Sequence, residues 1–104
     1  MADIEVRQAS STVKASVGDR VVVRLPENGG TGYQWSVVEA GDPLQVESNE
    51  LVLPAQLKPG AAGERVVALL LLQPGRTRLV LHLKRQWENE PVDRFDVEVD
   101  GSDA

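Results

Sequence analysis

The sequence contains no cysteine. That excludes a disulfide framework and a thiolate metal site. Packing and hydrogen bonds must therefore hold the fold in any redox compartment. There is one histidine, His82. A zinc centre lacks ligands and calcium lacks a recognisable loop, so no metal or other cofactor is expected. Basic residues are the minority: 11 Lys and Arg stand against 16 Asp and Glu, a net charge of −5. Phosphate backbones attract basic surfaces, so no nucleic-acid partner is expected. Long apolar runs are also missing. The longest, Val66 to Leu72, falls far short of the roughly 20 residues that cross a bilayer, and no membrane partner is expected. The opening Met1-Ala2-Asp3-Ile4-Glu5-Val6 has no basic segment followed by an apolar one and does not read as a signal peptide. A cytosolic protein and one whose leader has been removed both fit.

Catalytic equipment is equally sparse. His82 falls mid-strand, out of phase with Leu81 and Leu83, and reads as a half-exposed sheet residue. No serine lies in a Gly-x-Ser-x-Gly elbow. Glu88, Glu90 and Asp93 form the densest acidic group and read as a solvated loop. The glycine-rich stretch Asn28-Gly29-Gly30-Thr31-Gly32 is followed by Tyr33-Gln34-Trp35, a strand. A phosphate loop needs a lysine, a hydroxyl residue and a helix there. The chain does not read as an enzyme.

What is present is strand. The 104 residues make one domain, 1–104, with enough chain for one core. Val21, Val23 and Leu25 alternate with Arg20 and Arg24; Tyr33, Trp35 and Val37 alternate with Gln34 and Ser36; Leu79, Leu81 and Leu83 alternate with Val80, His82 and Lys84. Phe95, Val97 and Val99 do so between charged residues. Shorter strands are predicted at Ile4–Arg7, Thr12–Ala15, Leu44–Val46 and Glu50–Leu53. Turn signals separate them at Val17-Gly18-Asp19, Ala40 to Pro43, Lys58-Pro59-Gly60 and Gln73 to Arg76. Pro74-Gly75 suits the centre of a type II turn, which needs φ > 0 at its second central residue. Glu64 to Leu72 has helix-favouring Ala and Leu. It is short and bounded by glycine and proline, so it is read as a central strand buried on both faces. The end, residues 100–104, is expected to fray. The fold class is all-β, an antiparallel β-sandwich of about seven or eight strands.

Two segments stand apart from this scaffold. Asn28-Gly29-Gly30-Thr31-Gly32-Tyr33-Gln34-Trp35 is a turn-forming run that passes into an aromatic strand, and Arg85-Gln86-Trp87 ends an apolar strand with a guanidinium and an indole. Between them, Gly60-Ala61-Ala62-Gly63 joins two strands. Arg and Trp are the residue types most enriched at binding hot spots. In order and spacing the three segments resemble the loops of the chagasin-type inhibitors of papain-like cysteine peptidases. Those loops read Asn-Pro-Thr-Thr-Gly-Tyr/Phe-x-Trp, a glycine-rich connection, and Arg-Pro-Trp. Asn28, Thr31, Gly32, Tyr33 and Trp35 match the first; Gly29 and Gly30 replace Pro-Thr, and Gln86 replaces the proline of the third.

The resemblance implies an immunoglobulin-like sandwich and a reversible, monomeric inhibitor that blocks the cleft of a papain-like peptidase. Three loops at one end would enter that cleft. Thr31-Gly32 would lie across the catalytic Cys-His pair without presenting a cleavable peptide bond. Trp87 would pack on an aromatic surface beside the cleft, with Arg85 supporting it or binding an acidic group. The expected contact residues are Asn28, Gly29, Gly30, Thr31, Gly32, Tyr33, Gly60, Ala61, Ala62, Gly63, Arg85, Gln86 and Trp87. The glycine-rich stretch would flank the other side, its backbone free to pair in β fashion. The alternative is a non-inhibitory immunoglobulin-like module that binds a carbohydrate or a protein through Trp87 and Arg85. Whether Trp87 and Thr31 lie at the same end of the domain separates the two.

Overall fold

The computed structural model describes residues 2–8, 12–28, 31–53 and 63–103. Within them eight strands run in chain order: β1 (Asp3–Val6), β2 (Thr12–Ser16), β3 (Arg20–Glu27), β4 (Gln34–Ala40), β5 (Leu44–Val52), β6 (Gly63–Leu71), β7 (Gly75–Lys84) and β8 (Asp93–Ser102). They form two four-stranded sheets, ordered β1-β3-β6-β5 and β2-β8-β7-β4. The expected sandwich is present. Its two short N-terminal strands, however, pair in parallel, β1 with β3 and β2 with β8. Alternation sets which face of a strand is buried and carries no information about strand direction.

The core follows the period of two. Val21, Val23 and Leu25 of β3 meet Val67, Leu69 and Leu71 of β6 on one inner face; Leu79, Leu81, Phe95, Val97 and Val99 line the other. The leucine-rich segment is a strand at the centre of its sheet, as read. It is buried on one face only: Val67, Leu69 and Leu71 are fully buried while Val66, Ala68 and Leu70 are half-buried. In register beside those three lie Arg24, Val22 and Arg20 of β3. The arginines' aliphatic stems can cover an outer face while their charged heads stay in water.

Three further differences have local causes. The two strands expected at Leu44–Val46 and Glu50–Leu53 are one strand, β5, with a bulge between Val46 and Ser48. The inserted residue shifts the phase there, so the sequence looks like two short strands. The expected fraying does not reach Asp100, Gly101 and Ser102. They pair with Lys14, Ala15 and Ser16 of β2, and Val17 N–H bonds to Ser102 O. The turn expected at Lys58-Pro59-Gly60 lies outside the described residues. Gly75 does adopt a positive φ, +116°, where it opens β7.

Strand directions place the connections. β3 ends at Glu27 opposite Gly63, where β6 begins, and β5 ends at Val52 opposite Glu64. On the other sheet Gln34 faces Lys84, and Leu83 faces Asp93. The β3–β4, β5–β6 and β7–β8 connections therefore leave from one end of the sandwich. The last two join neighbours within a sheet, whereas β3–β4 crosses from one sheet to the other.

Candidate functional site

In the β3–β4 connection, the described residues 28 and 31–33 are held by their own side chains and backbone. Thr31 donates twice to Asn28 O, from its Oγ1 at 2.9 Å and its N–H at 3.3 Å. Its hydroxyl also accepts from Tyr33 N at 3.3 Å. A side chain that bonds its neighbours' backbone in this way stabilises a turn where no ladder exists. Gly32 has φ +81°, a conformation that glycine adopts without steric cost. Thr31 and Gly32 are exposed and Asn28 is half-buried. Gly29 and Gly30 lie outside the described residues.

The β7–β8 connection begins with a tight turn in which Glu88 N–H bonds to Arg85 O at 3.1 Å. Lys84 Nζ donates to Glu88 O at 3.2 Å, and Val92 N–H closes the stem on Leu83 O at 2.8 Å. Gln86 and Trp87 sit at the tip, exposed, with Trp87 74% accessible. Tryptophan is among the residue types most enriched at binding hot spots.

Arg85 joins the two connections. Its Nε donates to Thr31 O at 3.2 Å. The guanidinium carbon lies 4.3 Å from the Tyr33 ring centroid and 5.7 Å from that of Trp87. A Glu88 oxygen lies 4.0 Å from Nε, too far for a hydrogen bond. The guanidinium thus sits within cation–π range of both aromatics. A Cβ placed on Gly32 would lie 3.7 Å from the Trp87 ring, so the threonine-glycine tip and the indole form one projection. Thr31, Gly32, Tyr33, Arg85 and Trp87, separated in sequence, are neighbours in space.

Gly60, Ala61 and Ala62 lie outside the described residues. Gly63 is buried: a Cβ there would lie 2.9 Å from Val52 O and 3.2 Å from Leu51 Cδ1. It is glycine because β5 and the end of β3 close tightly on it. The neighbouring Glu64 accepts from Arg24 at 3.0 Å and from Arg7 at 3.2 Å. The hydrogen bond from Arg24 holds its carboxyl below the usual range.

Sequence reasoning missed a second layer beneath these loops. Glu27 and Arg65 are both buried, at 4% and 7% accessibility. Glu27 Oε2 accepts from Arg65 Nη2 at 2.6 Å, and Oε1 from Arg65 Nε at 3.1 Å. The same Oε1 accepts the backbone N–H of Trp35 at 2.7 Å, and Arg65 Nη1 donates to Asn49 Oδ1 at 3.1 Å. Trp35 is buried, and its Nε1 donates to Pro26 O at 3.1 Å. A signal existed. Glu27 is in phase with Val21, Val23 and Leu25, and Arg65 with Val67, Leu69 and Leu71. A lone charge at a core-phase position must find a partner, and each strand carries one of opposite sign.

Residues 14–99 match the family described as chagasin family peptidase inhibitor I42. No curated protein matches the chain. Among solved structures, the fold is similar to that of the cysteine protease inhibitor EhICP2 from Entamoeba histolytica. The TM-score is 0.87 at 23% identity, over 97% of this chain and 96% of that one. Amebosin gives 0.80 at 21% identity, over 95% and 97%. PbICP-C, solved in complex with falcipain-2, gives 0.72 at 16% identity, over 95% and 99%.

Proposed function

The chain belongs to the chagasin family of peptidase inhibitors, and we propose that it inhibits papain-like cysteine peptidases by seating the loop end of its sandwich in their active-site cleft. One observation supports this assignment above the others. Thr31-Gly32 and Trp87 form a single exposed projection bridged by Arg85. A narrow edge of this kind fits a cleft. A sugar site would more naturally gather aromatics on a sheet face, and here Tyr33 and Trp87 stand at the loop end.

The mechanism is obstruction, and it needs no nucleophile. Thr31-Gly32 fills the space in front of the peptidase's Cys-His pair. The internal bonds of Thr31 and the left-handed Gly32 hold this backbone in a turn. A turned peptide does not present its carbonyl as an extended substrate does, so the thiolate has no aligned bond to attack. Trp87 supplies the apolar anchor against the rim of the cleft. Arg85 is committed to Thr31 O and the two rings, and its role is to hold one loop against the other. It thereby reduces the freedom lost on binding, which offsets the missing prolines at positions 29 and 86. The segment Gly60-Ala61-Ala62 is assigned by this reading to the opposite side of the cleft.

Titration of papain and a cathepsin L-like enzyme with the protein tests the proposal, with trypsin and thermolysin as controls. Stoichiometric, reversible loss of the two cysteine activities alone is expected. A standard-sized interface of about 1,600 Å² in total would accompany it. Full papain activity at high micromolar protein would refute the proposal and favour the non-inhibitory binding module.

A further inference from the structure

β3 and β4 lie in different sheets, so no ladder hydrogen bonds tie together the two ends of the loop that carries Thr31. Its ends are tied instead by two contacts that cross between the sheets. The Glu27 carboxylate accepts Trp35 N–H, and the Pro26 carbonyl accepts Trp35 Nε1–H. The first uses the same oxygen that Arg65 grips. Arg65 stands two residues beyond Gly63 and reaches Asn49 of β5, so the same side chain network touches the stem of the β5–β6 connection. Burying a charged pair rarely stabilises more than an apolar pair of equal volume. An apolar pair here would also leave Trp35 N–H without an acceptor.

We infer that Glu27 is a positioning residue for inhibition: its buried carboxylate closes the Thr31 loop across the two sheets and, through Arg65, fixes that loop against the stem of the neighbouring one. The inference rests on the inhibitory reading of these loops. It assigns the aim of the Thr31-Gly32 tip to two restraints, Glu27 at the base and Arg85 near the tip. Restraint at both ends leaves little conformational freedom to be lost when the tip enters a cleft.

Glu27→Gln tests this, because the amide keeps the shape and one acceptor but removes the charge that holds Arg65. Two readouts are needed. The inhibition constant for papain should rise about ten-fold or more, since small misplacements of a positioned group carry large penalties. Amide hydrogen exchange in the free protein should accelerate about ten-fold at Thr31, Tyr33 and Trp35 while Leu69 and Val97 stay protected. A folded variant with the wild-type inhibition constant overturns the inference. So does exchange that rises equally at all five amides, the mark of a purely global role. If wild type itself does not inhibit, the functional proposal fails, and the exchange pattern still decides whether Glu27 clamps the loop. Should Glu27→Gln not fold, Arg65→Lys keeps the charge but loses the forked grip and the Asn49 contact. It should show the same pattern in weaker form, and wild-type behaviour in both readouts would overturn the inference.

Discussion

Replacing Trp87 with alanine should separate binding from folding. The indole is 74% accessible and its ring centroid lies 5.7 Å from the Arg85 guanidinium. Its loss should cost the free protein only an exposed cation–π contact and slight packing, about 0.5–1 kcal/mol. Bound, the ring has much more to lose. A buried tryptophan covers about 150–250 Å², so inserting this one would remove roughly 100–150 Å² of exposed surface. At about 25 cal/mol per Å² that is about 2.5–4 kcal/mol of favourable transfer. Part of this is spent on ordering the turn, which leaves about 2 kcal/mol or more, or about 30-fold in the inhibition constant. Progress curves with papain give the constant, and urea titration gives the stability. A rise of less than about three-fold in the inhibition constant would show that the ring is not the anchor. A stability loss above about 3 kcal/mol would show that it belongs to the fold.

Trp35→Ala should behave in the opposite way. It empties a buried site and leaves Pro26 O without its donor, with an expected loss of about 3–5 kcal/mol in denaturant. Gly63→Ala should destabilise by about 1–3 kcal/mol, because its Cβ would press on the Val52 carbonyl, which cannot retreat without disturbing the ladder between β5 and β6; a melting curve unchanged from wild type would refute that packing. Asp19 accepts the backbone N–H groups of Ser16 and Ala2, each at 2.9 Å, and these bonds hold its carboxyl below the ordinary 3.8. A depressed carboxyl stabilises the fold above its unfolded value and loses that contribution as the pH falls through the folded one. Melting temperatures of wild type and Asp19→Asn should therefore differ at neutral pH and converge well below pH 3.8.

The sequence by itself determined the inner faces of the strands and singled out residues of the exposed loop edge. Alternation of two is a property of the extended chain, so Val21, Val23, Leu25, Phe95, Val97 and Val99 could be assigned to the core without knowing what they pack against. Thr31, Gly32 and Trp87 were legible because turn chemistry and an isolated Arg-x-Trp are local patterns. Tertiary structure decided everything that depends on which strands are neighbours. The parallel pairing of β1 with β3 and of β2 with β8, the bulge that makes β5 one strand, and the pairing that carries β8 to Ser102 are relations between distant segments. The meeting of Arg85 with Thr31 spans 54 positions and that of Glu27 with Arg65 spans 38. The phase of those two buried charges showed that each needed a partner. Only the placement of β6 beside β3, with Trp35 crossing over from the other sheet, showed that one carboxylate serves both Arg65 and the loop above it. A hydrogen bond acts over about 3 Å, and the chain order of its partners carries no trace of that distance.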